Sequence, residues 1–368
     1  MRIKTLVAGL AVGALVTAGC GSSGGSSSGT VGSTAGTSSA PAGSTAPAAT
    51  GSTGTTGTAP KSLTEVSVGN PGLNATQIPL LLAEQKGYFA DHGLKISQVS
   101  FQGGPPMAAA MIGGSLDVAT LSPFIVGNAV QSGNDLAMFC GVALITVNNL
   151  LAPANSPLKT QQELGSWQAV YKQFKGKKVG VPIRGGDAET RMRLGLIEAG
   201  VDPNSVTFVA IGVGPPAQAA FEKNQVDVFW GTDFIQQNLV GAGKAKVLTS
   251  AGSKDGPTSN QNIYGYAYSA TRKWIEANGA TAKAFCAAIG EGVALMQDSA
   301  NQGPLDQVLT TVFKVPVSAL PAARATAVNY STEMPQSNVD DAVKVGVIGK
   351  SLKESPKLTY TQLVLLPS

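Results

Sequence analysis

A sixteen-residue module used twice limits the folds open to this chain. Residues 104–119 read GPPMAAAMIGGSLDVA and residues 214–229 read GPPAQAAFEKNQVDVF. At a constant offset of 110, Gly, Pro, Pro, two Ala, Asp and Val coincide, seven of sixteen positions. Each copy follows a β-rich run (Lys95 to Phe101; Ser205 to Gly212) that is preceded by a Gly-plus-aliphatic pair, Gly93-Leu94 and Gly200-Val201. Gly104 and Gly214 permit a tight turn at the strand end, and the second proline of each pair suits the first turn of a helix. Asp117 and Asp227 then end a short loop into a wholly apolar strand. The spacing predicts a strand–turn–helix–strand unit, once in each of two similar lobes; a chance match in an Ala- and Gly-rich chain is the alternative. Short apolar strands alternate with helical segments around the first copy: Val66 to Gly69, a helix from Gln77 to Lys86 closed by Gly87, a strand from Lys95 to Phe101, a helix from Pro106 to Ile112 and a strand from Asp117 to Leu121. That order argues for parallel α/β architecture. Two open α/β lobes leave a cleft at the carboxyl ends of their strands, where ligands meet loops and helix N-termini. The expectation is a clam-like binding protein.

All 21 aromatic residues lie beyond position 60, and the 308 residues from there on suffice for two lobes with a substantial apolar interior. The N-terminus reads as an export signal. Arg2 and Lys4 precede an apolar run, Leu6 to Val16, shorter than the roughly 20 residues that span a bilayer. The run ends in Thr17-Ala18-Gly19-Cys20, which resembles the bacterial lipoprotein cleavage box, with Thr17 where that box prefers Leu. The resemblance implies a signal peptide over 1–19 and a lipidated Cys20; ordinary secretory cleavage near Ala18 is the alternative. From Gly21 to Pro60 only Gly, Ser, Thr, Ala and Pro occur, apart from Val31. Such a segment buries too little apolar surface to offset its ordering entropy, so residues 20–60 read as a flexible tether reaching about 35 Å. The predicted location is the outer face of the bacterial cytoplasmic membrane, with the folded part held by a lipid anchor.

The net charge of +4 includes Arg2 and Lys4, leaving +2 for the rest, too weak for a nucleic-acid surface. One histidine and three cysteines argue against a zinc site or an iron–sulfur cluster, and no cofactor is expected.

The stretch Leu80 to Ala119, LLLAEQKGYFADHGLKISQVSFQGGPPMAAAMIGGSLDVA, resembles the solute-binding proteins of ABC importers for nitrate, aliphatic sulfonates, taurine and thiamine-pyrimidine precursors. There an apolar helix runs into A-x-x-K-G-Y-F, then G-L, a Gly-Gly turn, a Gly-rich loop and D-V-A. The second half repeats the likeness in Phe174-Lys175-Gly176-Lys177-Lys178-Val179-Gly180-Val181, in Glu198-Ala199-Gly200-Val201-Asp202-Pro203 and in Gln225-Val226-Asp227-Val228. It holds over roughly residues 64–250. Where many members carry an acidic residue and Pro after the second such strand, this chain has Trp230-Gly231-Thr232-Asp233-Phe234, which leaves contacts from that position open. The resemblance implies two doubly wound α/β lobes joined by a two-segment hinge, the periplasmic-binding-protein type 2 fold. Lobe one would combine 61–150 with 255–368, and lobe two would span 151–254. It further implies a monomer whose lobes close around a solute and whose closed form is recognised by ABC permease subunits.

Pocket candidates follow from loops at strand ends. Asn74 and Thr76 follow the first strand, Gln102 and Gly103 the second, and Ser122 the third, where an N-cap is the alternative. Thr146, Asn148 and Asn149 lie near the first crossover, where hinge hydrogen bonding is the alternative. In lobe two, Arg184-Gly185-Gly186-Asp187 follows the strand Lys178 to Ile183 and opens a helix; its backbone N–H groups and the Arg184, Gly186 and Asp187 positions face a solute, or Asp187 is a structural N-cap. Thr232 and Asp233 follow the next strand. Tyr264 and Tyr266, on the return to lobe one, either stack on a planar solute or pack. Arg184 attracts an anion, but Asp187, Glu189 and Asp233 oppose it, so the expected solute is small, polar and neutral or weakly basic, ahead of sulfonate or nitrate.

With Cys20 lipidated, Cys140 and Cys286 remain as one pair in an oxidising compartment, predicting a disulfide with two buried thiols as the alternative. The chain is not expected to be an enzyme. Pyrimidine synthases of this fold resemble a cysteine-rich motif absent here, His92 has no second histidine beside it in sequence, and no G-x-S-x-G elbow occurs beyond residue 60. A solute-sensing or scaffold lipoprotein without transport is the remaining rival.

Overall fold

The computed structural model describes residues 62–72, 74–144, 148–231, 233–261 and 265–368; the expected signal, Cys20 and the tether lie outside the described residues. Among the described residues ten strands form two sheets. The first holds β1 (Thr64–Asn70), β2 (Leu94–Ser100), β3 (Val118–Leu121), β4 (Leu136–Ala143) and β10 (Tyr266–Thr271), in the order β2-β1-β3-β10-β4. The second holds β5 (Asn148–Pro153), β6 (Lys178–Val181), β7 (Thr207–Ala210), β8 (Val228–Trp230) and β9 (Ala245–Ala251), in the order β7-β6-β8-β5-β9. The orders correspond position by position. β1 is parallel to β2 and β3, as β6 is to β7 and β8. The fourth place in each sheet is taken by an antiparallel strand, β10 or β5, that enters from the other half of the chain.

Helices cover both faces of each sheet, which is why the strands read as continuous apolar runs; all eight residues of β4 are buried. On the first sheet, α1 (Ile78–Lys86) and α7 (Gly279–Gln297) enclose Val66, Val68, Leu82, Phe139 and Phe285. The opposite face carries α2 (Gly104–Ile112), α3 (Pro123–Gln131) and α8 (Gln336–Ile348) around Met107, Met111, Phe124 and Val343. On the second sheet, α4 (Asp187–Glu198) packs Met192 and Leu196 against Val179 and Val181. Its other face holds α5 (Pro215–Glu222) and α6 (Asp233–Gly241), with Phe221, Phe229 and Leu239. β4, although at a sheet edge, is not left open: Gly141 and Leu144 donate to the carbonyls of Thr332 and Asn329, and Met138 accepts from Leu365. That cover removes an exposed edge.

The repeated module is α2–β3 in one lobe and α5–β8 in the other, and its conserved spacing has a mechanical reason. Asp117 Oδ2 accepts from the Ser67 backbone N–H and hydroxyl, at 2.8 and 2.7 Å. Asp227 Oδ2 accepts from the Lys178 N–H at 2.8 Å. Each aspartate thus pins its strand to the neighbouring parallel strand where the ladder begins. The glycine positions differ from expectation. The residue with left-handed backbone before α2 is Gly103 (φ +105°), with Gly104 already helical, whereas in the second lobe it is Gly214 (φ +66°). In both lobes the helix follows its left-handed glycine directly, and at the repeat's offset of 110 the first helix, from Gly104, starts one residue earlier than the second, from Pro215.

The chain passes between the sheets twice, from Leu144 to Asn148 and from Ala251 to Tyr266. β5 begins at Asn148, so Asn148, Asn149 and Leu150, expected in lobe one, belong to the second sheet because pairing starts as soon as the chain has crossed. On the return, Thr258 and Ser259 donate to the Glu198 carboxylate at the end of α4 and Asn260 Nδ2 to the Arg191 carbonyl, which keeps this segment on the second lobe past residue 255. Cys140 of β4 and Cys286 of α7 form a disulfide within lobe one, across a separation of 146 residues that includes the whole second sheet.

Candidate functional site

A cavity of about 190 Å³ lies between the two lobes at the carboxyl ends of their parallel strands. Lobe one contributes Asn74, Ala75 and Thr76 ahead of α1, Gly103, Gly104 and Met107 at the start of α2, and Ile125 in the first turn of α3. Lobe two contributes Pro182 and Ile183 after β6, Asp187 and Ala188 at the start of α4, Val213 after β7, Trp230 at the end of β8, and Gln236 and Gln237 from α6. Asn148 and Tyr266 line it from the two crossings, and Thr326, Asn329 and Tyr330 from the C-terminal region. A cavity of about 150 Å³ accepts a benzene-sized molecule, so this one suits a small solute.

The walls meet around it. A Cβ on Gly72 would come within 2.6 Å of Val213 Cγ2, and one on Gly103 within 3.6 Å of Ile183 Cγ2. Both glycines hold left-handed backbone (φ +93° and +105°), so they supply the turn and the closeness together. The Tyr266 hydroxyl donates to Asp187 Oδ2 at 3.4 Å, a polar link between lobe one and lobe two.

Several expected residues converge on this space: Asn74, Thr76, Gly103, Asn148 and Asp187, together with Tyr266. Asn74 caps the short turn before α1, its side-chain oxygen accepting from the Thr76 N–H at 3.0 Å and from the Thr76 hydroxyl. Asn148 Nδ2 donates to the Gly231 carbonyl at 2.9 Å, and the Asn149 N–H to Gln236 Oε1 at 3.1 Å, so the first crossing is tied to the loop after β8. Asp187 is not the cap expected of it. Gly186 holds that position with extended backbone, and the Asp187 carboxylate instead accepts from Arg191 Nε at 3.0 Å one turn along α4. Arg191 is itself buried.

Other candidates point elsewhere. Arg184 does not line the cavity: its guanidinium donates to Glu189 and to the Phe208 carbonyl, and its side chain is 55% exposed. Glu189 takes that cation together with Arg193 and the Gly185 N–H, so the cluster closes on itself at the rim. Burial pushes the Glu189 carboxyl up, but hydrogen bonds from Arg184, Gly185 and Arg193 outweigh it and hold the group below its ordinary value. Ser122 is fully buried at the N-cap position of α3 without a side-chain cap bond, Gln102 is exposed, and neither they nor Gly186 line the cavity. Thr146, Thr232, Tyr264 and the Asp233 side chain lie outside the described residues. His92 does not line the cavity; its Nε2 lies 2.6 Å from Glu291 Oε1.

Sequence reasoning missed Met107, Trp230, Gln236, Gln237, Asn329 and Tyr330. Trp230 carried a signal, a large aromatic closing the strand of the second module copy. Tyr330 carried none: it reaches the cleft by pairing with Ala143 and donating its hydroxyl to the Ala75 carbonyl, 255 residues away.

Residues 74–302 match the family described as NMT1/THI5 like. A putative aliphatic sulfonates-binding protein of Bacillus subtilis is 29% identical over 207 residues, 53% of this chain and 56% of that protein. The nitrate/nitrite binding protein NrtA of Nostoc is 28% identical over 231 residues, 58% of this chain and 50% of that protein. The chain thus spans about half the length of these relatives. Among solved structures, the alkanesulfonate-binding protein SsuA from Xanthomonas axonopodis, bound to MOPS, superposes with a TM-score of 0.66 at 20% identity, covering 84% of this chain and all of that one. The periplasmic nitrate-binding protein NrtA from Synechocystis gives 0.59 at 14% identity, covering 80% of this chain and 83% of that one. At these identities the superpositions show a shared two-lobed periplasmic-binding-protein fold.

Proposed function

Because the chain belongs to the NMT1/THI5-like family, we propose that it is an extracytoplasmic solute-binding lipoprotein that delivers a small polar solute to an ABC importer by closing its two lobes around it. The observation that carries this reading is the cavity itself: equivalent loops of two equivalently ordered sheets wall it, and the chain runs from one sheet to the other between β4 and β5 and back between β9 and β10. A solute touching both walls stabilises the closed arrangement by contacts that an open one lacks, and the closed surface is what permease subunits recognise. The relatives named for sulfonate and nitrate binding support a carrier over an enzyme. The export signal, lipidated Cys20 and tether over 20–60 complete the proposal: a monomer anchored at the outer face of the cytoplasmic membrane, its folded part free to meet a permease. Asn74, Thr76, Gly103, Asn148 and Asp187 are proposed as solute contacts.

A thermal-shift screen of sulfonates, nitrate, pyrimidines and amines tests the reading. At 100 times its Kd a solute stabilises the folded state by about 2.7 kcal/mol. For a domain of this size that raises Tm by roughly 5 °C or more. A panel in which no solute shifts the melting curve contradicts the proposal.

A further inference from the structure

The cavity has an unequal supply of hydrogen-bonding groups. Of the buried side-chain atoms without a hydrogen-bond partner among the described residues, two belong to residues lining the cavity, Asp187 Oδ1 and Gln237 Oε1. Both are acceptors. The Asp187 side chain is only 9% exposed; its other oxygen already serves Arg191 Nε and the Tyr266 hydroxyl. A buried acceptor left unmatched is costly, more so when charged, so such atoms mark where a ligand donor belongs. Gln237 can turn its amide to offer a donor instead. Asp187 as a carboxylate offers oxygen only.

The charges point the same way. Among the described residues no Lys, Arg or His lines the cavity. Of the two guanidinium groups nearest in sequence, Arg184 is paired with Glu189 at the rim, and Arg191 gives its Nε to Asp187 one turn along α4 while its Nη1 and Nη2, buried off the lining, have no hydrogen-bond partner among the described residues. The positive N-terminal end of α4 likewise has Asp187 seated on it. An anion entering here meets the Asp187 carboxylate on the wall and no cationic side chain among the described lining residues. Three aromatic residues, Trp230, Tyr266 and Tyr330, are among the lining residues, and aromatic side chains suit a flat molecule.

We infer that Asp187 is the residue that sets specificity, and that the solute is a small, flat, non-anionic molecule presenting N–H donors, one to Asp187 and one to Gln237, with sulfonate and nitrate excluded. This rests on the solute-binding reading above.

The test is titration calorimetry on the whole chain with two sets of probes: cytosine, 4-aminopyridine and benzamidine as donors, and nitrate and methanesulfonate as anions. The expected result is heat from at least one donor probe and none from either anion. Asp187→Asn should weaken the donor probe at least tenfold, the scale of a hydrogen bond to a charged group. Because that change strands the buried Arg191 cation, Asp187→Asn with Arg191→Gln is measured beside it, as is Gln237→Leu, which leaves the ion pair intact and should cost about fivefold. Binding of nitrate or methanesulfonate in place of the donors, or donor affinities unchanged within threefold in all three variants, overturns the assignment while leaving solute binding in place. Silence from both probe sets, with no hit in the wider melting screen, removes both.

Discussion

Glu189 sits 5% exposed at the rim with five donor groups on it: Arg184 Nε and Nη2 at 2.7 and 3.3 Å, the Gly185 N–H at 2.9 Å, and Arg193 Nε and Nη2 at 2.9 and 2.8 Å. Arg193 in turn lies 4.8 Å from the centre of the Phe208 ring. Burial alone pushes the carboxyl up, and the hydrogen bonds reverse that, so its folded-state value lies below the unfolded one. A depressed carboxylate contributes stability above its unfolded value of about 4.3 and loses it as pH falls through the folded value. Urea midpoints measured from pH 7 to pH 3 should therefore decline below about pH 5, and more shallowly in Glu189→Gln, which should also lose about 1–3 kcal/mol at pH 7 through an imperfectly matched buried cluster. An unchanged midpoint at both ends of the range contradicts this. At this scale the sequence was only half legible. Arg184 and Asp187 lie three residues apart in one Gly-rich turn and look equally suited to a solute. Which one faces the cavity is decided by partners elsewhere, Glu189 for the first and Arg191 for the second, and spacing does not distinguish an arginine occupied from one that is free.

Elements were read more faithfully, because each is fixed by local periodicity and by its capping residues. The helix closing at Gly87 is there, with that glycine in left-handed backbone (φ +79°), and the duplicated unit occupies the same place in both sheets. What local pattern cannot show is how closely two helices approach. Gly292 is buried in α7 where that helix crosses α1, and a Cβ there would stand 2.2 Å from the Pro79 carbonyl oxygen. The obstacle is backbone, which no rotamer change relieves. Gly292→Ala should accordingly cost about 1–3 kcal/mol despite the higher helix propensity of alanine. The measurement is thermal unfolding, with Tm expected to fall by several degrees; an equal or higher Tm means that the two helices can part without penalty. Gly292 reads from sequence as a helix weakness, and only the crossing turns it into a requirement.

For the molecule as a whole, the repeat at offset 110 was enough to expect two lobes, whereas the C-terminal region gave no local sign of its role. Residues beyond 300 wrap the first sheet, cover the edge of β4 and send Asn329 and Tyr330 back to the cleft through pairings more than 180 residues long in sequence. Such contacts depend on the assembled fold rather than on any segment. The same global arrangement makes lobe closure accessible to a single substitution. Ile183 stands after β6 with its side chain across the mouth from Gly103, where one lobe ends and the other begins. Replacing it with tryptophan adds bulk at a contact between lobes and none within either core, so each sheet should keep its packing while the mouth is held apart. If closure depends on that contact, Ile183→Trp should retain the far-ultraviolet circular dichroism of the parent and show a larger radius of gyration in small-angle X-ray scattering. It should also bind whichever solute raises the parent's Tm about tenfold more weakly, roughly 1.4 kcal/mol of lost contact energy. A variant with parental size and parental affinity would show that the lobes meet there without depending on it, and that closure resides in the polar link from Tyr266 to Asp187 instead.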